Sequence, residues 1–174
     1  MPYSHCGPAS PKFEPLRYAS RMKMEDLANS GLIRPQMAQA CASAPELPVI
    51  YWGIPFADRG VICLTSEPVQ IELQPRQAKW LVFLHTADLR PLAPKDGTFI
   101  SPMPGEGRLN EHLADYVFLF EDGSEGRIQI RGRYQIGSYV WRWGELCFQA
   151  VPSQKPHPVQ SVYEQTALDW GKIQ

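Results

Sequence analysis

The stretch from Gly53 to Ala87, GIPFADRGVICLTSEPVQIELQPRQAKWLVFLHTA, decides the reading of this chain. It joins a proline-anchored turn to three successive strand-like runs. Val61 to Leu64 and Trp80 to Leu84 are short, continuous apolar runs, the pattern of strands buried on both faces. Between them Val69, Ile71 and Leu73 alternate with Gln70, Glu72 and Gln74, as a half-buried strand requires. Pro55 fixes its own backbone angle and sets the turn after the first strand.

Outward from this stretch the same grammar continues. Strands are expected at Val49 to Ile54, Val61 to Leu64, Val69 to Leu73, Trp80 to His85, Ala114 to Glu121, Arg127 to Arg131, Ser138 to Trp143 and Leu146 to Val151. Short strands separated by turn residues suit a double antiparallel sheet. Asp122 and Gly123 between two of these runs form the clearest hairpin signal, since glycine accepts the positive φ that tight hairpin turns demand. Ile128 and Ile130 then share a buried face, while Arg127, Gln129 and Arg131 share a wet one. A second hairpin is expected at Gly144 and Glu145.

The first 48 residues read differently. Pro2, Pro8, Pro11, Pro15, Pro35, Pro45 and Pro48 interrupt any long regular element. Two short helices fit between them, one within Ser20 to Ser30 with Gly31 as its stop, the other over Pro35 to Ala42 with proline in its first turn. The expected organisation is an N-terminal arm over 1–48 that packs on a β-sandwich over 49–174. The proline- and glycine-rich span from Ala87 to His112 is a long loop of the kind that is either functional or disordered, and Val159 to Trp170 supplies a last strand or an irregular tail.

The order G-I-P-F, then D-x-x-G-V-I-x-L, a polar spacer and L-x-F-L-H-T-A, followed by a tyrosine-containing strand, a D-G turn and R-I-Q-I, resembles galactose-binding-like, jelly-roll β-sandwich accessory domains of bacterial carbohydrate-active proteins. The resemblance covers roughly Val49 to Trp143. It implies an all-β, jelly-roll-like sandwich that accompanies a glycoside hydrolase or polysaccharide lyase and performs no chemistry itself.

Composition bounds the alternatives. A chain of 174 residues is the size of one domain and can bury about 70% of its unfolded surface without a covalent staple. Lysine and arginine total 17 against 18 acidic residues, so there is no basic field to drive nucleic-acid binding. Cys6, Cys41, Cys63 and Cys147 form no CxxC pair, which argues against a zinc knuckle or a thioredoxin-like site. Cys63 and Cys147 read as small buried hydrophobes, whereas Cys6 and Cys41 can be exposed or paired. No secretory leader and no run of membrane-spanning length is visible, so no membrane partner is expected, and the protein is cytosolic if Met1 is the natural start.

Candidate chemistry is sparse. His85, Glu111 and His112 are of the right types for a divalent metal, but the spacing favours His85 bonded to backbone at a strand end and His112 in solvent. Asp88, Asp96, Glu106, Glu111, Asp115, Glu121, Asp122 and Glu125 form no recognisable pair for glycoside hydrolysis. There is no nucleophile elbow and no phosphate-cradling loop, and neither metal nor cofactor is expected. Tyr139, Trp141 and Trp143 alternate and share one face of an extended segment. That face either fills the core, leaving Arg142 as an exposed polar handle, or stacks on sugar rings. Trp52 carries the same two readings. Arg131 and Arg133, flanking Gly132, can converge on an anionic sugar or simply be solvated. Trp52, Tyr139, Trp141, Arg142 and Trp143 are therefore the candidate ligand-binding residues of a non-catalytic carbohydrate-binding module. The alternatives are a structural domain packing against a catalytic partner and, third, a small glycoside-active or metal-dependent enzyme.

Overall fold

The computed structural model describes residues 3–4, 8–16, 18–19, 22–42, 48–57, 60–88, 109–139 and 147–151. Among them, in chain order, are β1 (Tyr3–Ser4), α1 (Met24–Asn29), α2 (Pro35–Ala42), β2 (Val49–Tyr51), β3 (Ile54–Phe56), β4 (His112–Leu119) and β5 (Glu125–Arg131). The fold is sheet-rich, with two short helices and two small sheets. The chain divides into two compact units, Met1–Leu84 with Pro152–Gln174, and His85–Val151.

In the first unit β2 is the middle strand of the order β1-β2-β3, parallel to β1 and antiparallel to β3. The N-terminal arm thus contributes a strand of its own. Val49 and Ile50 are flanked on both sides and Tyr51 by β3 alone, and all three are buried, Val49 to 1% exposure. Pro55 has no N–H to give to a ladder, and it sits on the edge strand, where that loss is tolerated. Tyr51 also meets the Phe56 ring, with centroids 6.2 Å apart.

The helices form where the sequence predicts them. The Asp26 carboxylate accepts the Lys23 N–H at 3.3 Å and closes the first turn of α1, and Gly31 ends the helix in the left-handed region, φ 72°. Pro35 opens α2, where its missing N–H costs nothing. Leu27, Met37 and Cys41 are buried, and Met37 and Cys41, four residues apart, lie on one face of α2.

In the second unit β4 and β5 form an antiparallel hairpin with Tyr116 opposite Ile128 and Ala114 opposite Ile130. The expected turn is there as a three-residue loop: the Phe120 N–H donates to the Ser124 carbonyl at 2.9 Å and Gly123 takes φ 82°. Ile130 is buried at 4% while Ile128, on the same face, is 49% exposed, so the buried face covers only the end of the hairpin nearest Arg131. A tight turn follows, with Arg133 N–H bonded to the Ile136 carbonyl at 2.8 Å. Ser138 then makes a parallel bridge with Ala87.

Several expected strands do not form, and the one expected over Val49 to Ile54 is broken at Trp52 and Gly53 into β2 and β3. Val61 makes a single antiparallel bridge with Met22, and no strand spans 61–64, 69–73 or 80–85. Ile71 and Leu73 are exposed, and so is the whole run from Trp80, at 73%, to Leu84. Alternation states which face a strand would bury; burial itself requires a neighbouring strand or layer, and none of the described elements covers these residues. Residues 147–151 also lie outside any strand, although Phe148 and Gln149 donate backbone hydrogen bonds to the carbonyls of Arg133 and Tyr134 at 3.1 and 2.9 Å. The expected hairpin at Gly144 and Glu145, most of the Ala87 to His112 loop and the tail after Val151 lie outside the described residues.

Candidate functional site

In the first unit the site is built on the turn between β2 and β3. Tyr51 pairs with Ile54, which leaves a two-residue loop of Trp52 and Gly53. Both take positive φ, 55° and 77°, as in the type I′ turn that matches strand twist. Asn-Gly is the usual occupant of such a turn, because a bulky side chain in the left-handed region costs about 1–2 kcal/mol. Here the first position carries tryptophan, 42% exposed. The arm braces the turn: the Ser10 N–H donates to the Gly53 carbonyl at 2.7 Å, and a Cβ on Gly53 would lie 3.6 Å from the Pro8 carbonyl oxygen.

In the second unit both ring nitrogens of His85 have hydrogen-bond partners. Its Nε2 lies 2.9 Å from the Gln135 carbonyl oxygen and its Nδ1 2.9 Å from the Tyr116 hydroxyl. A carbonyl can only accept, so Nε2 carries the proton and Nδ1 receives the tyrosine O–H. Burial lowers the proton affinity of the imidazole, partly offset by the Gln135 carbonyl, and burial raises the pKa of the Tyr116 phenol. The pair is neutral near pH 7. Gln135 is itself held, its Oε1 accepting the Arg131 N–H at 2.9 Å and its amide donating to Gln149 at 2.6 Å.

The opposite face of the hairpin is wet and charged. Asp115 accepts from His112 Nε2 at 3.1 Å and from Arg127 Nη1 at 3.5 Å. Arg131 donates to the Asn110 carbonyl at 3.1 Å and to Gln129 Oε1 at 2.7 Å. Its guanidinium is therefore committed to the hairpin, whereas Arg133 occupies the following turn with φ 62° and acts electrostatically on Cys147, whose thiol is pushed up by burial and only partly lowered by that arginine. The two arginines serve different neighbours.

His85 and His112 have separate partners, and among the described residues no three histidine, cysteine or carboxylate side chains come together to hold a metal. Cys41, Cys63 and Cys147 stand as thiols rather than disulfides; Cys6 lies outside the described residues. No helix among those residues is long and apolar enough to cross a membrane. Of the candidate ligand residues, Trp52 sits exposed on its turn, while Tyr139 is buried at 8%, its N–H bonded to the Ala87 carbonyl at 3.4 Å. Trp141, Arg142 and Trp143 lie outside the described residues. The pairing of His85 with Tyr116 and Gln135 was not legible in the sequence, since its members are 31 and 50 positions away. The sequence points only to a backbone partner for His85 at a strand end; the acceptor is the Gln135 carbonyl, and residues 80–85 form no strand.

No family model matches the chain, and neither curated proteins nor solved structures yield a significant match.

Proposed function

We propose that this protein is a non-catalytic carbohydrate-binding or accessory module of jelly-roll, galactose-binding-like type, associated with polysaccharide degradation, and that Trp52 stacks on the sugar. The observation that carries this reading is the tryptophan at the first position of a type I′ turn. A residue kept in a costly conformation, with much of its surface in solvent, points to use of that surface. An indole face suits the apolar face of a sugar ring, and polar groups beside it supply hydrogen bonds to hydroxyls. A glycan array followed by calorimetry tests the proposal. Binding to a plant, algal or bacterial glycan that Trp52→Ala weakens at least tenfold supports it, and binding indifferent to that change removes Trp52 from the site.

A second reading is favoured by the exposed run Trp80, Leu81, Val82, Phe83 and Leu84. Five consecutive large apolar side chains at the surface suit packing against another protein, here a catalytic partner domain. Absence of glycan binding together with co-purification of a polysaccharide-degrading enzyme would move the assignment to that role.

A further inference from the structure

His85 lies outside the sugar-binding proposal and uses both of its ring nitrogens. It stands between three pieces of the second unit: its own extended segment, β4 through Tyr116, and the turn after β5 through the Gln135 carbonyl. The segment it anchors is tied to the same turn region by backbone. Ala87 N–H and Thr86 Oγ1 both donate to the Gly137 carbonyl, at 3.0 and 3.3 Å, and the Tyr139 N–H returns a bond to Ala87. We propose that His85 is an acid-released clamp, holding residues 85–87 against β4 and the 133–137 turn as the neutral imidazole and loosening them when it gains a second ring proton.

The chemistry follows from the fixed roles of the partners. The carbonyl of Gln135 keeps the proton on Nε2, so the incoming proton must go to Nδ1, the atom that accepts the Tyr116 O–H. Two donors then face each other, and the phenol has to rotate and find another acceptor for its hydrogen. The new charge also sits in a half-buried place. The bond to Gln135 strengthens and opposes this, but burial is the larger of the two effects. The two groups bonded to the ring nitrogens, this phenol and this carbonyl, are both uncharged. On the same elements Asp115 is engaged with His112 and Arg127, and Arg131 with Asn110 and Gln129.

The sign is fixed by the direction of the effect. The folded unit takes up the proton less readily than the unfolded chain, so the clamp's stability is fully present above the ordinary histidine value of 6.5 and is lost as pH falls below it.

The test is NMR on the full, isotope-labelled chain between pH 8 and 4.5. Sequential assignment separates His85 from the other three histidines, and long-range proton–nitrogen correlations read its tautomer. The expected result is an Nε2–H tautomer at pH 7.5, a midpoint below 6.5, and at least a threefold fall in the exchange protection of the Ala87 and Tyr139 amides through the titration, abolished in His85→Gln. An Nδ1–H tautomer, a midpoint at or above 6.5, or protection that stays flat in the wild-type chain would overturn the clamp. The wild-type measurements decide the matter even where H85Q does not fold.

Discussion

Trp52 offers a test of backbone strain that can be separated from the loss of its ring. Its surface is 42% exposed, so roughly 58% of about 250 Å2 is covered, about 145 Å2. At about 25 cal/mol per Å2, reduced by the compactness of the denatured chain, removing the ring costs about 2–3 kcal/mol. That loss is common to Trp52→Ala and Trp52→Gly. The two variants differ in one respect: alanine keeps the penalty of the left-handed region, about 1–2 kcal/mol, and glycine does not. Glycine gives back about 0.5–1 kcal/mol through the greater freedom of its unfolded chain. The net expectation is a glycine variant more stable than the alanine variant by about 0.5–1 kcal/mol, or roughly two- to fivefold in the folding equilibrium constant, whereas at an ordinary position alanine is the more stable. Urea denaturation of both variants, compared at equal m-values, reads the difference. If alanine proves equal or better, φ at position 52 is not positive in solution, the turn is not type I′, and the strain argument for a functional tryptophan collapses.

Other consequences are open to measurement. Gly123 has φ 82° and open space around its missing Cβ, so Gly123→Ala should lose about 1 kcal/mol from backbone conformation alone, and an unaffected denaturation midpoint would deny the hairpin its left-handed residue. At Gly137 the obstacle is contact instead, since a Cβ there would lie 3.1 Å from Cys147 Sγ. Gly137→Ala should cost about 1–3 kcal/mol, and much of that should return when Cys147→Ala is added; additive effects in the double-mutant cycle would mean that the two residues do not touch. The Ser124 hydroxyl, and then its N–H, hold the Asp122 carboxyl below the ordinary aspartate value of 3.8. Stability from this turn is present above that value and lost as pH falls. Ser124→Ala should move the Asp122 titration upward by carboxyl-carbon NMR, and an unchanged midpoint would remove Ser124 as its cause.

Both helices were legible because their signals are local. Gly31 and Pro35 act through their own backbone angles, and the caps lie within a turn of the residues they serve. The β4–β5 hairpin was legible for the same reason, as Asp122 and Gly123 dictate a turn and adjacency in sequence supplies each strand with its partner. The runs at 61–64, 69–73 and 80–85 have strand-like patterns but no hairpin-linked neighbour, and the structure leaves them unladdered and their large side chains mostly exposed. Trp52 was recognised as a candidate from residue type alone. Its defining property, a bulky side chain at positive φ, follows from the pairing of Tyr51 with Ile54.

What the amino-acid order determined by itself was therefore short-range: where helices start and stop, where the chain can reverse, and which residues alternate across a strand. Pairing over distance belonged to the tertiary structure. The docking of β1 beside β2, and the bonding of His85 to Tyr116 and to the Gln135 carbonyl, each join residues 31 or more positions apart. Such contacts depend on the loop-closure entropy and on the competition among all available partners, quantities that no local pattern of side chains encodes.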